Sequence, residues 1–537
     1  MTPYDYNGRV PLSLIEKAKE AYKTYRADRE PFIERVRDNE RFYRKSYSMA
    51  SAELDRRMHC DTPFIFSAIE NARADAIDNF PSANILERDP DGTQAAELLS
   101  RIVPAQLEIS DFKRAYKENI RNKLKYGTAV YGIFYNETTG NIDIKSIDLI
   151  DIYVDMHVSD VQNSRFLFIS AAVENDVLRE RYPGFAGLFD GDCEVQTLTE
   201  TVMLRDRTMV LDCYYKKPDG TVQLMKLCRD TVIAATEDME GYGAGLYNHN
   251  MFPVVFDTLY PVDHSPFGFG MIDIGKPTQT VINKLDYAIT ENIMCGAKPR
   301  YLAKRNGGID EEEFRDLSRN IVHYEGDTDA IRPINNASIN DYYLMHRERK
   351  KEELKEILAN RDFQQGQTSG GVTAASAIET LRQSGEKRTR SIINDTYDAY
   401  KRIVYMMIEL MRQFFDKKRV YRVKDDLGET SFAGIDNSML YRREWNEDGV
   451  TLSRIMFDID VVPQRENPYS RETMNSTIMT FWNNGMLLPE NAEIAVTALK
   501  NMNFDGKEKL ISDIQRLGEK YRKGAANGDS DLSAGQG

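Results

Sequence analysis

Asp143, Asp148, Asp151 and Asp155 lie close together in the chain. Carboxylates so concentrated could hold a divalent ion and activate water for phosphodiester cleavage. Strand alternation argues against that chemistry. With 147–154 read as one strand, Asp148, Ile150, Ile152 and Val154 share a face, while Asp151 and Asp155 sit on the other with Leu149 and Tyr153. The expectation is solvated strand ends, with no catalytic and no metal site. The histidines (His59, His157, His249, His264, His323, His346) are dispersed, no two at ligand spacing. Gly366 to Gly371 lacks the lysine of a phosphate-binding loop. In Gly241-x-Gly243-x-Gly245 the third glycine comes one residue too soon for a dinucleotide fingerprint. No nucleophile elbow of the form Gly-x-Ser-x-Gly occurs, and no cofactor is expected.

Two stretches suit contact better than catalysis. One is the basic run Arg347-Glu348-Arg349-Lys350-Lys351. Its cations either pair along a solvated helix face, as Lys351 and Lys355 would with Glu352, Glu353 and Glu356, or form a basic ring if many copies surround a channel. The other is Gln364-Gln365-Gly366-Gln367-Thr368-Ser369-Gly370-Gly371, polar, glycine-rich and without a titratable group. Such a loop between two long helices is a poor catalytic element and a good channel lining.

Composition sets outer bounds. A chain of 537 residues exceeds one core, so two to four domains are expected. Hydrophobic content of 41% and charged content of 29% describe a globular chain. The net charge of −14 argues against a surface that grips phosphates throughout, though not against one that lets DNA pass. Cys60, Cys193, Cys213, Cys228 and Cys295 show no CxxC spacing, which fits a reducing compartment. The N-terminus lacks a basic-then-apolar leader, and Glu409 closes the longest apolar window, so neither secretion nor a membrane span is expected.

The elements that would position these stretches follow from periodicity. Residues 12–47 read as a charged helix, with Phe32, Val36 and Tyr43 on one face and Pro31 fitting a first-turn position. Further helices are predicted over 62–80, 95–110 and 111–126. The period then changes to that of strands at 128–135, 141–145, 147–154 and 166–170. After a short helix near 177–182, runs at 202–215, 222–227 and 232–235 form a meander whose hairpin is closed by Lys217-Pro218-Asp219-Gly220. Residues 1–260 are therefore an α+β domain.

Pro261–Gly270 reads as a hinge, and Pro277 as the opening of a helix with Ile282, Leu285, Ile289 and Ile293 on one stripe, ended by Gly296 and Pro299. Strands are predicted at 300–303 and 321–324, a turn at 306–308 and an acidic helix over 310–317. Ser338-x-x-Asp341 has the form of a capping box for a helix reaching about Asp362. A helix over 373–415 would run about 60 Å, with Gly385 as its kink point. Two or three strands over 417–465, helices over 470–517 and a low-complexity tail complete the reading.

In order and spacing these elements resemble the portal proteins of tailed bacteriophages. The resemblance is carried by Glu40-Arg41-Phe42-Tyr43-Arg44, by the helix-to-strand junction Leu124–Gly132, and by Phe267-Gly268-Phe269-Gly270 followed by the 278–287 helix with Asn283 and later Pro299. The glycine-rich loop before Ala374-Ala375-Ser376-Ala377-Ile378 completes it. It implies an α+β portal-type fold: an α/β wing (1–266 and 417–465), a two-helix stem (267–297 and 340–362) and a small α/β clip (298–339). It further implies a tunnel loop (363–373), a long kinked helix (374–416), a helical crown (466–523) and a disordered tail (524–537). Functionally it implies a homo-oligomer of about twelve subunits at the capsid vertex of the virion, assembled in the host cytoplasm. Viral double-stranded DNA would pass through the ring for packaging and ejection. Partners would be the terminase large subunit, the major capsid and scaffolding proteins and a head–tail adaptor, with no membrane and no enzymatic activity. Gln364, Gln365, Gln367, Thr368 and Ser369 would line the channel, and Arg347, Arg349, Lys350 and Lys351 would form a DNA-facing or inter-subunit band. The alternatives are a head–tail adaptor, usually a far shorter chain, and a metal-dependent nuclease built on Asp143–Asp155.

Overall fold

A computed structural model of the chain describes residues 8–47, 62–297, 300–303, 310, 312, 314, 331–334, 341–358, 387–424, 430–446, 449–465, 479–480, 483, 492, 495–496, 499 and 511–518. The glutamine-rich loop, Gly385, the 306–308 turn and the 321–324 run lie outside the described residues. The helices are α1 (Leu12–Tyr47), α2 (Phe64–Asp78), α3 (Thr93–Ile109), α4 (Phe112–Tyr126), α5 (Asn175–Arg181), α6 (Met271–Ala297), α7 (Asp341–Ile357) and α8 (Lys387–Phe414). Strands and helices mix along the chain, in keeping with the α+β class. No described helix is long and apolar enough to cross a membrane. The chain divides into two compact units: Met1–Arg37 with Ala72–Gly270 and Lys387–Gly537, and Asp38–Asn71 with Met271–Glu386.

The first unit is built on antiparallel sheets. One has five strands, in the order 231–235, 222–228, 207–216, 166–174 and 152–154. Period-two alternation sorts its side chains. Phe168, Cys213, Tyr215, Met225 and Leu227 face Ile15 and Ala18 of α1, while Val210, Cys228 and Ile233 turn the other way toward Leu178 of α5 and Phe189. The predicted hairpin turn is present: Lys217 donates to the Thr221 carbonyl at 2.9 Å, and Gly220 takes a φ of +86°, which favours glycine.

A three-stranded sheet runs 254–258, 128–136, 141–147. Helices α4 and α8 meet over it, where Phe112 lies 6.0 Å from the Tyr131 ring and 5.5 Å from that of Tyr400. The predicted stripe of α8 is buried at Tyr400, Val404, Met407 and Met411. Each such side chain contributes about 1.5–3 kcal/mol relative to exposure.

Several expectations are corrected. The helix predicted over 62–80 ends at Asp78, and 79–87 is a strand paired antiparallel with 457–465. Pro81 stands opposite Pro463 there, and the missing N–H groups suit a two-stranded ribbon whose edges need no donor at those positions. The single strand read over 147–154 is a turn closed by Asp151 N–H to Asp148 C=O (3.0 Å), followed by strand 152–154. The run 202–215 is two strands, broken at Asp206, whose φ is +52°. Pro31 lies inside α1, well past its first turn. Pro277 lies inside α6, which begins at Met271. Strand 300–303 pairs with 331–334. Residues 417–465 hold strands 419–424, 430–435, 441–446, 449–454 and 457–465, more than the two or three expected.

Candidate functional site: the helix pair 271–358

Helices α6 and α7 run antiparallel in the second unit. Gly275 meets Leu358 at one end of the overlap and Asp286 meets Arg347 further along. Both partners are eleven residues on in opposite directions, so the register is kept. A Cβ on Gly275 would stand 3.0 Å from Ile65 and 3.2 Å from Leu358, so a glycine there lets α2 and α7 approach α6. Ile282 and Leu354 are buried in the same unit. Polar contacts fix the depth of packing. Gln279, buried, donates to the Thr62 carbonyl (2.8 Å) and to Asn283 Oδ1 (2.7 Å). Asp286, also buried, accepts from Arg347 Nε and, at 3.3 Å, from Arg347 Nη2. That hydrogen bond raises the pKa of Arg347, a charge-assisted fork of the kind guanidinium and carboxylate make well.

The basic run of α7 is neutralised within this unit. Arg347 is held by Asp286 and Glu348, Lys350 pairs with Glu353 at 2.8 Å, Lys351 with Glu348 at 3.4 Å and Lys355 with Glu352 at 3.1 Å. Arg349 is exposed. The pairings are those of a helix face whose charges sit three residues apart. The first turn of α7 is different: Tyr342, Tyr343, Leu344 and Met345 are all exposed, Tyr342 at 64% and Met345 at 69%. Ile293 and Met294 near the end of α6 and Tyr301 and Leu302 on the following strand are exposed too.

The aspartates named above do not converge. Asp143 accepts from Asn136 (3.1 Å) and pairs with Lys145 (3.1 Å), Asp151 accepts from Ser170 Oγ (3.1 Å), and Asp155 caps the His157 N–H (2.9 Å). Among the described residues no group of three His, Cys, Asp or Glu side chains is placed to hold a metal. Asp151 is not a simple solvated end, however. Burial pushes its pKa up to about 6 against an ordinary 3.8. Below the unfolded value both states hold the proton, so the native state keeps that contribution there and loses it as pH rises through about 6. Asp151→Asn is therefore expected to stabilise the protein by about 1–2 kcal/mol at pH 8 and by much less near pH 4, as urea denaturation at the two pH values would read. A lower midpoint at pH 8 would show that the carboxylate is needed where it stands.

The chain, with its helix pair flanked on both sides in sequence by sheet-bearing segments, matches one family over nearly its whole length: the phage P22-like portal protein pattern aligns with residues 19–528. The chain belongs to the phage P22-like portal protein family. No curated protein matches it. Portal proteins are structural components of the bacteriophage virion, the head–tail connectors that serve genome packaging.

For this portal protein the residues named from sequence fall into two groups. Arg347, Arg349, Lys350 and Lys351 share α7, three of them bound to acids of their own unit. Gln364, Gln365, Gln367, Thr368 and Ser369 lie outside the described residues. Sequence reading passed over Tyr342–Met345. The available signal was a run of successive apolar residues directly after a helix start, which cannot all face one neighbour.

Proposed function

We propose that this chain forms a ring of about twelve copies at one capsid vertex, through which double-stranded DNA enters during packaging and leaves at ejection. Its exposed end would dock the terminase and later the head-completion and tail proteins. In this reading α6 and α7 are the stem, residues 298–339 the clip, 363–373 the tunnel loop, 374–416 the long kinked helix and 466–523 the crown. Residues 1–266 and 417–465 form the wing, of which 38–71 fold with the stem unit.

The observation that carries the ring is the first turn of α7. Successive helix residues are about 100° apart, so Tyr342, Tyr343, Leu344 and Met345 point most of the way round the axis. Among the described residues, α6 is the helix packed against α7. A wall of like helices supplies neighbours on the remaining sides, and exposed apolar surface of this kind marks an association site.

Negative-stain images and sedimentation of the purified chain test the proposal. Rings with a central hole are expected from the native sequence. Leu344→Asp with Met345→Asp should shift the population to monomers with an unchanged circular dichroism spectrum. A native chain that stays monomeric at high concentration would count against the ring. Deleting Gln365–Gly370 should leave rings intact and reduce the DNA packaged per head; loss of rings would make that loop structural instead.

A further inference from the structure

We infer that the outward stripes of α6 and α7 are the two halves of a contact between copies of this chain, with α6 of one copy seated against α7 of the next. The inference rests on the ring reading above and says which surfaces close the ring. Within its own unit α6 buries Gly275, Gln279, Ile282 and Asp286. Between Met271 and Asn292 its exposed residues are Pro277, Val281, Lys284, Ala288 and Glu291. They recur at alternating spacings of four and three, the spacing of a coiled-coil seam. The first four each lie two residues beyond a buried one, about 200° round the axis, so the two stripes are on opposite sides. Helix α7 repeats the arrangement. Leu354 and Leu358 are buried and Arg347 is turned to Asp286, while Met345, Arg349, Glu352 and Glu356 are exposed, again two residues off. The pair is thus a slab of two helices with a seam on each outer edge. One kind of seam against the other continues from copy to copy and closes as a ring.

Charge sets the register of that contact. Within the pair Asp286 meets Arg347, so Lys284 is level with Arg349. Carried to the next copy at the same level, that would set like charge against like. A slide of one heptad, about 10 Å, brings Lys284 to Glu356 and Glu291 to Arg349 at once. The same slide carries Met345, in the first turn of α7, toward the last turns of α6, where Ile293 and Met294 are exposed at 59% and 41%. Polar and apolar matching in one register is the mark of a specific protein contact. A face turned to DNA would need an excess of cations, whereas these stripes carry two cations, Lys284 and Arg349, and three acids, Glu291, Glu352 and Glu356.

Sedimentation velocity of the full chain over a range of concentrations tests the contact. Lys284→Glu and Glu356→Lys should each raise the concentration needed for assembly by about tenfold or more, with an unchanged circular dichroism spectrum. An equimolar mixture of the two variants should assemble as the native chain does. In alternating order, the Glu at 284 of one variant meets the Lys at 356 of the other, and at the next contact the native pair is restored. A misfolded variant would not be rescued in this way. Native rings that ignore both reversals, or single variants that the mixture does not rescue, overturn the inference and leave the ring itself standing. Rescue of Lys284→Glu by Glu291→Lys in the same chain also overturns it, because α6 would then meet α6 across a two-fold axis. A native chain that does not associate at any concentration overturns both the contact and the ring.

Discussion

Lys123→Met is expected to destabilise the first unit by about 3–5 kcal/mol, the usual consequence of stranding one member of a buried ion pair. Lys123 and Asp257 are almost wholly shielded from water, and the ammonium donates to Asp257 Oδ1 at 2.6 Å. The same nitrogen donates to Thr396 Oγ1 at 2.8 Å and to the Ile392 carbonyl at 3.2 Å. It thus ties α4, the strand 254–258 and the start of α8 at a single atom. Asp257 Oδ2 has no hydrogen-bond partner among the described residues, so nothing present would compensate the carboxylate once the lysine is gone. Guanidinium denaturation measures the loss. Replacing both partners, Lys123→Met with Asp257→Leu, should recover much of it, because two apolar groups need no pairing. A double variant no more stable than Lys123→Met would mean that the loss comes from packing and not from the stranded charge.

Gly127→Ala is expected to cost at least about 3 kcal/mol, as the sum of left-handed strain and overpacking. Gly127 ends α4 with a φ of +86°, its N–H bonded to the Lys123 carbonyl at 2.9 Å. A Cβ there would lie 2.2 Å from the carbonyl carbon of Phe269, a backbone atom that cannot rotate aside. The crossing segment is itself tight, since a Cβ on Gly268 would lie 2.2 Å from the Tyr260 oxygen. Gly220 provides the comparison. It has the same φ of +86° but nothing within 4 Å of its Cβ position. Gly220→Ala should lose only the conformational part, about 1–2 kcal/mol. Equal losses at the two positions would falsify the crowding argument.

These two sites show how unevenly structure can be read from the chain. Elements governed by near neighbours were legible. The helices 93–109 and 112–126 and the 217–220 turn each follow from residues within a turn or two of one another. The strand 79–87 was not. Its Pro, Ser and Asn are poor strand formers, and its partner at 457–465 lies hundreds of residues away. Pro277 misled for a related reason: it marks helix starts on average, yet a helix can absorb one lost hydrogen bond when its neighbours hold it, as Asn39 does at Asp273 and the Thr62 carbonyl at Gln279 in the first turns of α6. The lysine of the Lys123–Asp257 pair is anonymous in sequence, one of many on a charged helix.

What the sequence by itself determined is the inventory and its order: an acidic chain, long helices bracketing a small insert, a glycine-rich polar loop and one basic run. The family pattern aligns with residues 19–528 of this chain. Only the tertiary structure decided which charges are available. The basic run of α7 reads as the stronger candidate for DNA until Asp286, 61 residues upstream of Arg347, is seen to hold it, with Glu348 and Glu353 holding its lysines. The physical reason is that a charge binds phosphate in proportion to what already neutralises it, and that depends on neighbours in space, which no local pattern specifies.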